Sequence, residues 1–193
     1  MGDVLFTWNP IADTSITLDN MRDIMNSETW HDFERGHLSA TECYSLRGTA
    51  LSLSPSEIAA TFQQTTASLS PDKNMTALVH ELKSHGAAVY MMTNTPRGDF
   101  DVLRRVEYVW EAFDGVFASG YVGFRKPDAG FYEMVLREVG VEAGQVLFVD
   151  DKLENVVGAR ESGMVGVHFG DVQSGCAEIR ALVGLAETEG GWV

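Results

Sequence analysis

Three stretches of this chain hold residue types whose spacing could handle a phosphate. The apolar run AAVYMM ends in Thr93 and Asn94, a hydroxyl and an amide suited to holding a phosphate oxygen or an oxyanion. A second run, QVLFV, ends in Asp150 and Asp151. Adjacent carboxylates repel each other unless a cation or a lysine neutralises them, so a hard divalent ion such as Mg²⁺ suits the pair. Between the two runs, RKPDAGFY places Lys126 ahead of Pro127 and a helix start. Each piece also has a plainer reading. Thr-Asn is a common turn pair, Asp-Asp can cap a helix and complement its dipole, and a lone lysine is usually a surface residue.

The elements that must carry these residues follow from periodicity. From about residue 71 onward, short apolar runs alternate with helical patterns, the signature of a parallel sheet buried on both faces and hence of a doubly wound α/β core. Strands are expected at AAVYMM, GVFAS, QVLFVD and MVGVHF, with helices at 72–86, near 99–113 and 129–139, at LENVVGARESG and near 177–185. In such sheets ligands bind at the carboxyl ends of the strands, where Thr93, Asn94, Asp150 and Asp151 fall. Between Ile16 and Leu69 the pattern is helical only: TLDNMRDIMNS, TWHDFERG, SATECYSLRGTALS and SPSEIAATFQQTTAS each follow a Ser or Thr start. Ser54 and Glu57 have capping-box spacing, with Pro55 at the first helical position. This divides the chain into an α/β core, residues 1–14 and 70–193, and an inserted helical block, residues 15–69.

Composition narrows the function. A net charge of −14 repels nucleic-acid phosphates and anionic membrane surfaces, so neither is an expected partner. No apolar run approaches the roughly 20 residues of a spanning helix. Cys43 and Cys176 have no CxxC or Cys/His spacing around them and read as buried thiols in a reducing compartment, which places the protein in the cytosol.

Thr-Asn after an apolar strand, then RKPDAGFY, then VLFVDDKLENVVGAR resembles motifs two, three and four of the haloacid dehalogenase-like superfamily. The resemblance implies a Rossmannoid parallel sheet with a small all-helical cap, Mg²⁺ as cofactor and a small phosphate or diphosphate ester as substrate. It gives Thr93 the transferring phosphoryl group, Lys126 the neutralisation of nucleophile and phosphate, and Asp151, supported by Asp150, the metal. Asn94 and Gly2 join the substrate side. Asn155 either faces the same ion or caps its helix, the cap being the favoured role. Gly2-Asp3-Val4-Leu5-Phe6 matches only the second half of motif one, so the nucleophilic Asp falls just before Met1. Asp3 is an odd number of positions away and points to the other face of a strand, which makes it a poor substitute.

The missing half-motif lies on what is the family's central strand, so its neighbours lack a partner. Three explanations are open: a shortened start of a longer protein, which is favoured; DVLFTW sliding into the vacant strand; or a second chain filling it, which also allows a homodimer. Hydrolysis by these residues alone is expected to be weak or absent. GDVLFTWNP, TWHDFERG and FVDDKLENV are similar to fungal members of the family, some of which act on isoprenoid diphosphates as sesquiterpene cyclases or diphosphatases. In such an enzyme Trp8, Trp30, Phe33 and Tyr44 would line an apolar cavity, although packing the cap against the core is the favoured role for them. Ala12-Asp13-Thr14-Ser15 only weakly matches an Asp-rich cyclase motif, with Ile11 in the first Asp position. A catalytically idle binding protein is a further alternative, as is haloacid dehalogenation, which also requires the nucleophilic Asp.

Overall fold

The computed structural model describes residues 4–7, 16–105 and 107–185. Gly2, Asp3, Trp8 and Asp13 lie outside the described residues. The chain enters through β1 (Phe6–Thr7) and builds the helical block from α1 (Leu18–Met25), α2 (Glu28–Glu34), α3 (Ala40–Leu51) and α4 (Pro55–Ser68). It returns through β2 (Ser70–Pro71) and then runs α5 (Lys73–Ser84), β3 (Tyr90–Thr93), α6 (Arg97–Leu103), α7 (Glu107–Trp110), β4 (Gly115–Ala118), α8 (Ser119–Val122), α9 (Ala129–Val139), β5 (Leu147–Asp150), α10 (Leu153–Glu161), β6 (Val165–His168) and α11 (Val172–Leu182).

The helices begin where short polar side chains can take up their free N–H groups. Thr17, Ser27 and Ser39 cap α1, α2 and α3, and Asp72 and Asp171 cap α5 and α11. Among the α-helices described, the full capping box belongs to Ser39 and Glu42. The spacing of Ser54 and Glu57 predicted one for α4. The Ser54 hydroxyl is instead 2.7 Å from that of Ser56, and α4 starts on Pro55, whose fixed φ suits the first helical position. Asp171 starts α11 five residues earlier than the apolar pattern indicated. The expected single helix near 99–113 is two. The Trp110 ring packs on Phe100 and Phe6, and its indole N–H donates to the Leu103 carbonyl at 3.0 Å, which folds the second piece back on the first.

Two parallel pairs carry the site, β3 with β4 and β5 with β6. Both faces are covered, as the apolar runs required. Met91, Leu147 and Val149 pack with α5 and α11, while Met92 and Phe148 pack with α9 and α10. Among the described residues no strand pairs β3 with β5. DVLFTW does not fill the gap in residues 4–7. Val4 and Leu5 form a turn, and Phe6 and Thr7 pair antiparallel with Pro71 and Ser70. Leu5 and Phe6 are buried beside Met91, Val116, Leu147 and Val149, so both pairs rest on one apolar core. The antiparallel pair, which the sequence reading missed, joins the two connections between core and helical block.

The helical block has its own core of Ile24, Trp30, Phe33, Cys43, Tyr44, Ile58 and Phe62. Trp30 lies 5.4 Å from Phe33 and 4.3 Å from Phe62 between ring centroids, and its indole N–H donates to Glu34. Of the aromatic residues assigned to a substrate cavity, Trp30, Phe33 and Tyr44 are therefore interior residues of the block. Both thiols are buried and unbridged. Among the described residues no helix is long and apolar enough to cross a membrane.

Candidate active site

The site assembles where β3 and β5 end. Lys126, only 4% exposed, reaches it from the loop between α8 and α9 and donates through Nζ to Asp150 Oδ2 at 2.6 Å and to the Met92 carbonyl at 2.9 Å. One ammonium thus bridges the two strand pairs. Asp150 is equally buried, and its other oxygen accepts from the Lys152 backbone N–H and from Asn155 Nδ2. Burial pushes the Asp150 carboxyl up, but the Lys126 charge and hydrogen bond, with the Lys152 N–H, outweigh it and hold the carboxyl below its usual range.

The Lys126 backbone is fixed by Asn94. The Asn94 amide donates to the Lys126 carbonyl and its oxygen accepts the Lys126 N–H, both at 2.8 Å. Asn94, expected on the substrate side, thus clamps the lysine backbone through both polar atoms of its side chain. Asn94→Ala removes both bonds. It is expected to lower stability by about 1–3 kcal/mol in urea unfolding and any phosphate-ester turnover by about a hundredfold, because the lysine loses its position.

Thr93 is buried at the end of β3, its hydroxyl 2.6 Å from that of Thr95. One hydrogen of this hydroxyl pair is used between them and the other remains to donate to a ligand oxygen. Thr95 is held in turn by Ser119, whose Oγ accepts the Thr95 N–H. Asp151 is partly exposed beside Asp150, and its backbone carbonyl is 2.9 Å from His168 Nε2. Asn155 does not cap α10, whose N-cap is Lys152. It is buried, braces Asp150, and its Oδ1 has no hydrogen-bond partner among the described residues. Among the described residues no cluster of three His, Cys, Asp or Glu side chains could hold a metal ion. The donors present, a partly exposed carboxylate and an orphaned amide oxygen beside a second carboxylate, suit a hard ion that keeps most of its water, as Mg²⁺ does.

Asp99 is a carboxylate that the sequence reading did not single out. It stands in the first turn of α6, near the Tyr44 phenol of α3, and burial pushes it from the ordinary 3.8 up to about 6. A raised acid favours the protonated folded form, so stability falls as pH rises from about 4 through 6 and is lowest above that. Asp99→Asn is expected to stabilise the protein by on the order of 2 kcal/mol above pH 6 and to change little below pH 4, read from urea midpoints. An unchanged difference across that range would sink the assignment.

A lysine-bridged pair of strand ends, in a doubly wound core with a helical insertion, defines the class: a Rossmannoid α/β protein. The family model of haloacid dehalogenase-like hydrolases matches residues 25–163. The chain belongs to that family. It is 54% identical over 184 residues to a sesquiterpene phosphatase from Aspergillus oryzae, covering 95% of this chain and 94% of that protein. It is 38% identical over 172 residues to a drimenol cyclase from Aspergillus calidoustus, covering 88% of this chain but 33% of the cyclase. Among solved structures, a haloacid dehalogenase family enzyme from Bacteroides thetaiotaomicron superposes with a TM-score of 0.68 at 18% identity, covering 91% of this chain and 94% of that one. That enzyme has also been crystallised with magnesium and inorganic phosphate.

Proposed function

We propose that this protein handles the phosphate or diphosphate ester of a sesquiterpene alcohol as a Mg²⁺-assisted phosphatase, with residues 15–69 as a cap over the core of 1–14 and 70–193. The observation that carries the reading is the Lys126 ammonium held between Asp150 and the Met92 carbonyl, at the strand end that bears Thr93. A phosphoryl group in transfer spreads negative charge over three oxygens, so it needs fixed cations and donors more than it needs covalent chemistry. Lys126 supplies the cation, the Thr93–Thr95 pair the hydroxyl donor, and Asp151 the ligand for Mg²⁺, which when bound would neutralise phosphate oxygens. The magnesium and phosphate complex of the Bacteroides enzyme and the near full-length likeness to the sesquiterpene phosphatase support this choice. Gly2 to Phe6 match only the second half of the family's first motif, so the test compares this chain with a version that supplies an apolar strand ending in Asp.

The likeness to the drimenol cyclase favours one second reading, in which the site binds an isoprenoid diphosphate without hydrolysing it. The deciding experiment offers farnesyl phosphate, farnesyl diphosphate and p-nitrophenyl phosphate, with Mg²⁺, to this chain and to a version extended by an apolar strand ending in Asp. Phosphate released faster by the extended version supports the phosphatase. A terpene formed from farnesyl diphosphate by either protein replaces it with the cyclase. No Mg²⁺-dependent conversion by either removes both.

A further inference from the structure

We propose that the C-terminal end of α2, Glu34 with the Arg35 and Gly36 that follow it, is a docking key through which the helical block sets the position of Lys126, with Glu34, Arg35, Arg125 and Asp128 as positioning residues; the inference rests on the phosphate-handling role of Lys126 proposed above. Two ion pairs of opposite polarity join α2 to the loop that carries the lysine. Glu34 Oε2 accepts from Arg125 Nε at 2.8 Å, and both side chains are nearly buried. Arg35 donates through Nε to Asp128 Oδ2 at 3.1 Å and through Nη2 to Asp128 Oδ1 at 3.3 Å, a forked pair. Lys126 thus has one such anchor immediately before it and another two residues after it, while Asn94 holds its own backbone.

The order of charges gives the contact one register. An acid then a base on α2 meet a base then an acid on the loop, and a slip by one residue would leave a buried charge without its partner or facing its like. Trp30 aims Glu34, since its indole N–H occupies Oε1 at 3.1 Å. Glu28 and Asp32 likewise flank the Arg35 guanidinium, at 2.9 and 3.4 Å. The third residue of the key reaches the other half of the site. Gly36 has φ +77°, and a Cβ there would stand 2.7 Å from the Gly120 carbonyl oxygen, so the backbones touch. Gly120 in turn donates its N–H to the Thr95 carbonyl at 3.2 Å and packs against Thr95–Arg97, the segment that follows Thr93. One turn of the block therefore references both the lysine loop and the threonine loop, which is what is needed if the block is to close only when the two phosphate-binding groups are in place.

The test reads the site without requiring turnover. In the full chain, Lys126 is labelled with an amine-reactive ester and Cys176 with a thiol reagent, each followed by mass spectrometry. Cys176 is buried in the α/β core, so its labelling reports global unfolding. Releasing the key by Arg35→Gln or by Glu34→Gln is expected to speed Lys126 labelling by about tenfold with Cys176 unchanged, as a local opening does. Arg35→Gln alters the more exposed pair and keeps the test sound if Glu34→Gln does not fold. Lys126 and Cys176 labelling rising together, or Lys126 labelling within twofold of wild type, overturns the proposal by making these pairs structural only. Protection of wild-type Lys126 by Mg²⁺ with inorganic phosphate is read separately, and its absence counts against the phosphate reading while leaving the key in place.

Discussion

Lys126→Met is expected to cut phosphate-ester turnover by about a thousandfold and to lower stability by about 3–5 kcal/mol, because it leaves Asp150 as a buried carboxylate without its cation. The two effects separate by pH. In the wild-type protein the Asp150 carboxyl is held below its usual range, so its contribution is complete above the ordinary carboxyl range and is lost only as pH falls through the depressed value. Without the ammonium, burial is the larger influence and the carboxyl rises above its unfolded value. The variant then gains stability as pH falls, and its deficit against wild type, measured by urea unfolding, narrows between pH 7.5 and pH 5. A second change, Asp150→Asn on the Lys126→Met background, should recover much of the stability and none of the turnover. A deficit that is the same at both pH values, or turnover within threefold of wild type, would show that the bridge seen between β3 and β5 is not what holds the site.

Asp151→Asn is the complementary case. Asp151 is partly exposed and sits beside a carboxylate of like charge, so neutralising it is expected to cost less stability than neutralising Asp150, while Mg²⁺-dependent turnover drops by about a hundredfold or more. Asp150→Asn should do the reverse in proportion, lowering stability first because Lys126, Lys152 and Asn155 all bond to that carboxylate. Calorimetric titration of Mg²⁺ into the two variants gives the direct reading. If Asp151→Asn binds Mg²⁺ as tightly as wild type, the metal is held elsewhere and the division of labour between the two acids is wrong. The sequence alone could not divide them, since two neighbours at a strand end look alike until one is seen buried against a lysine and the other partly exposed.

That distinction marks the boundary between the two sources of information. The apolar runs, their alternation with helical patterns and the helix starts are local properties, and they determined the doubly wound core, the helical insertion and the strand ends at Thr93 and Asp150. The motif spacing likewise named Thr93, Lys126, Asp150 and Asp151, because order along the chain is what those motifs record. Tertiary structure decided the rest. The Asn94 clamp joins residues 32 positions apart, and the Glu34–Arg125 and Arg35–Asp128 pairs join residues 91 and 93 apart. Ser39 rather than Ser54 forms the capping box, since the Ser54 hydroxyl meets Ser56 instead. Burial that no local window registers raises Asp99. Hydrophobic periodicity is written in neighbouring residues and can be read there, whereas the partner and burial of a charged side chain depend on which distant segment folds against it, and only the packed chain determines that.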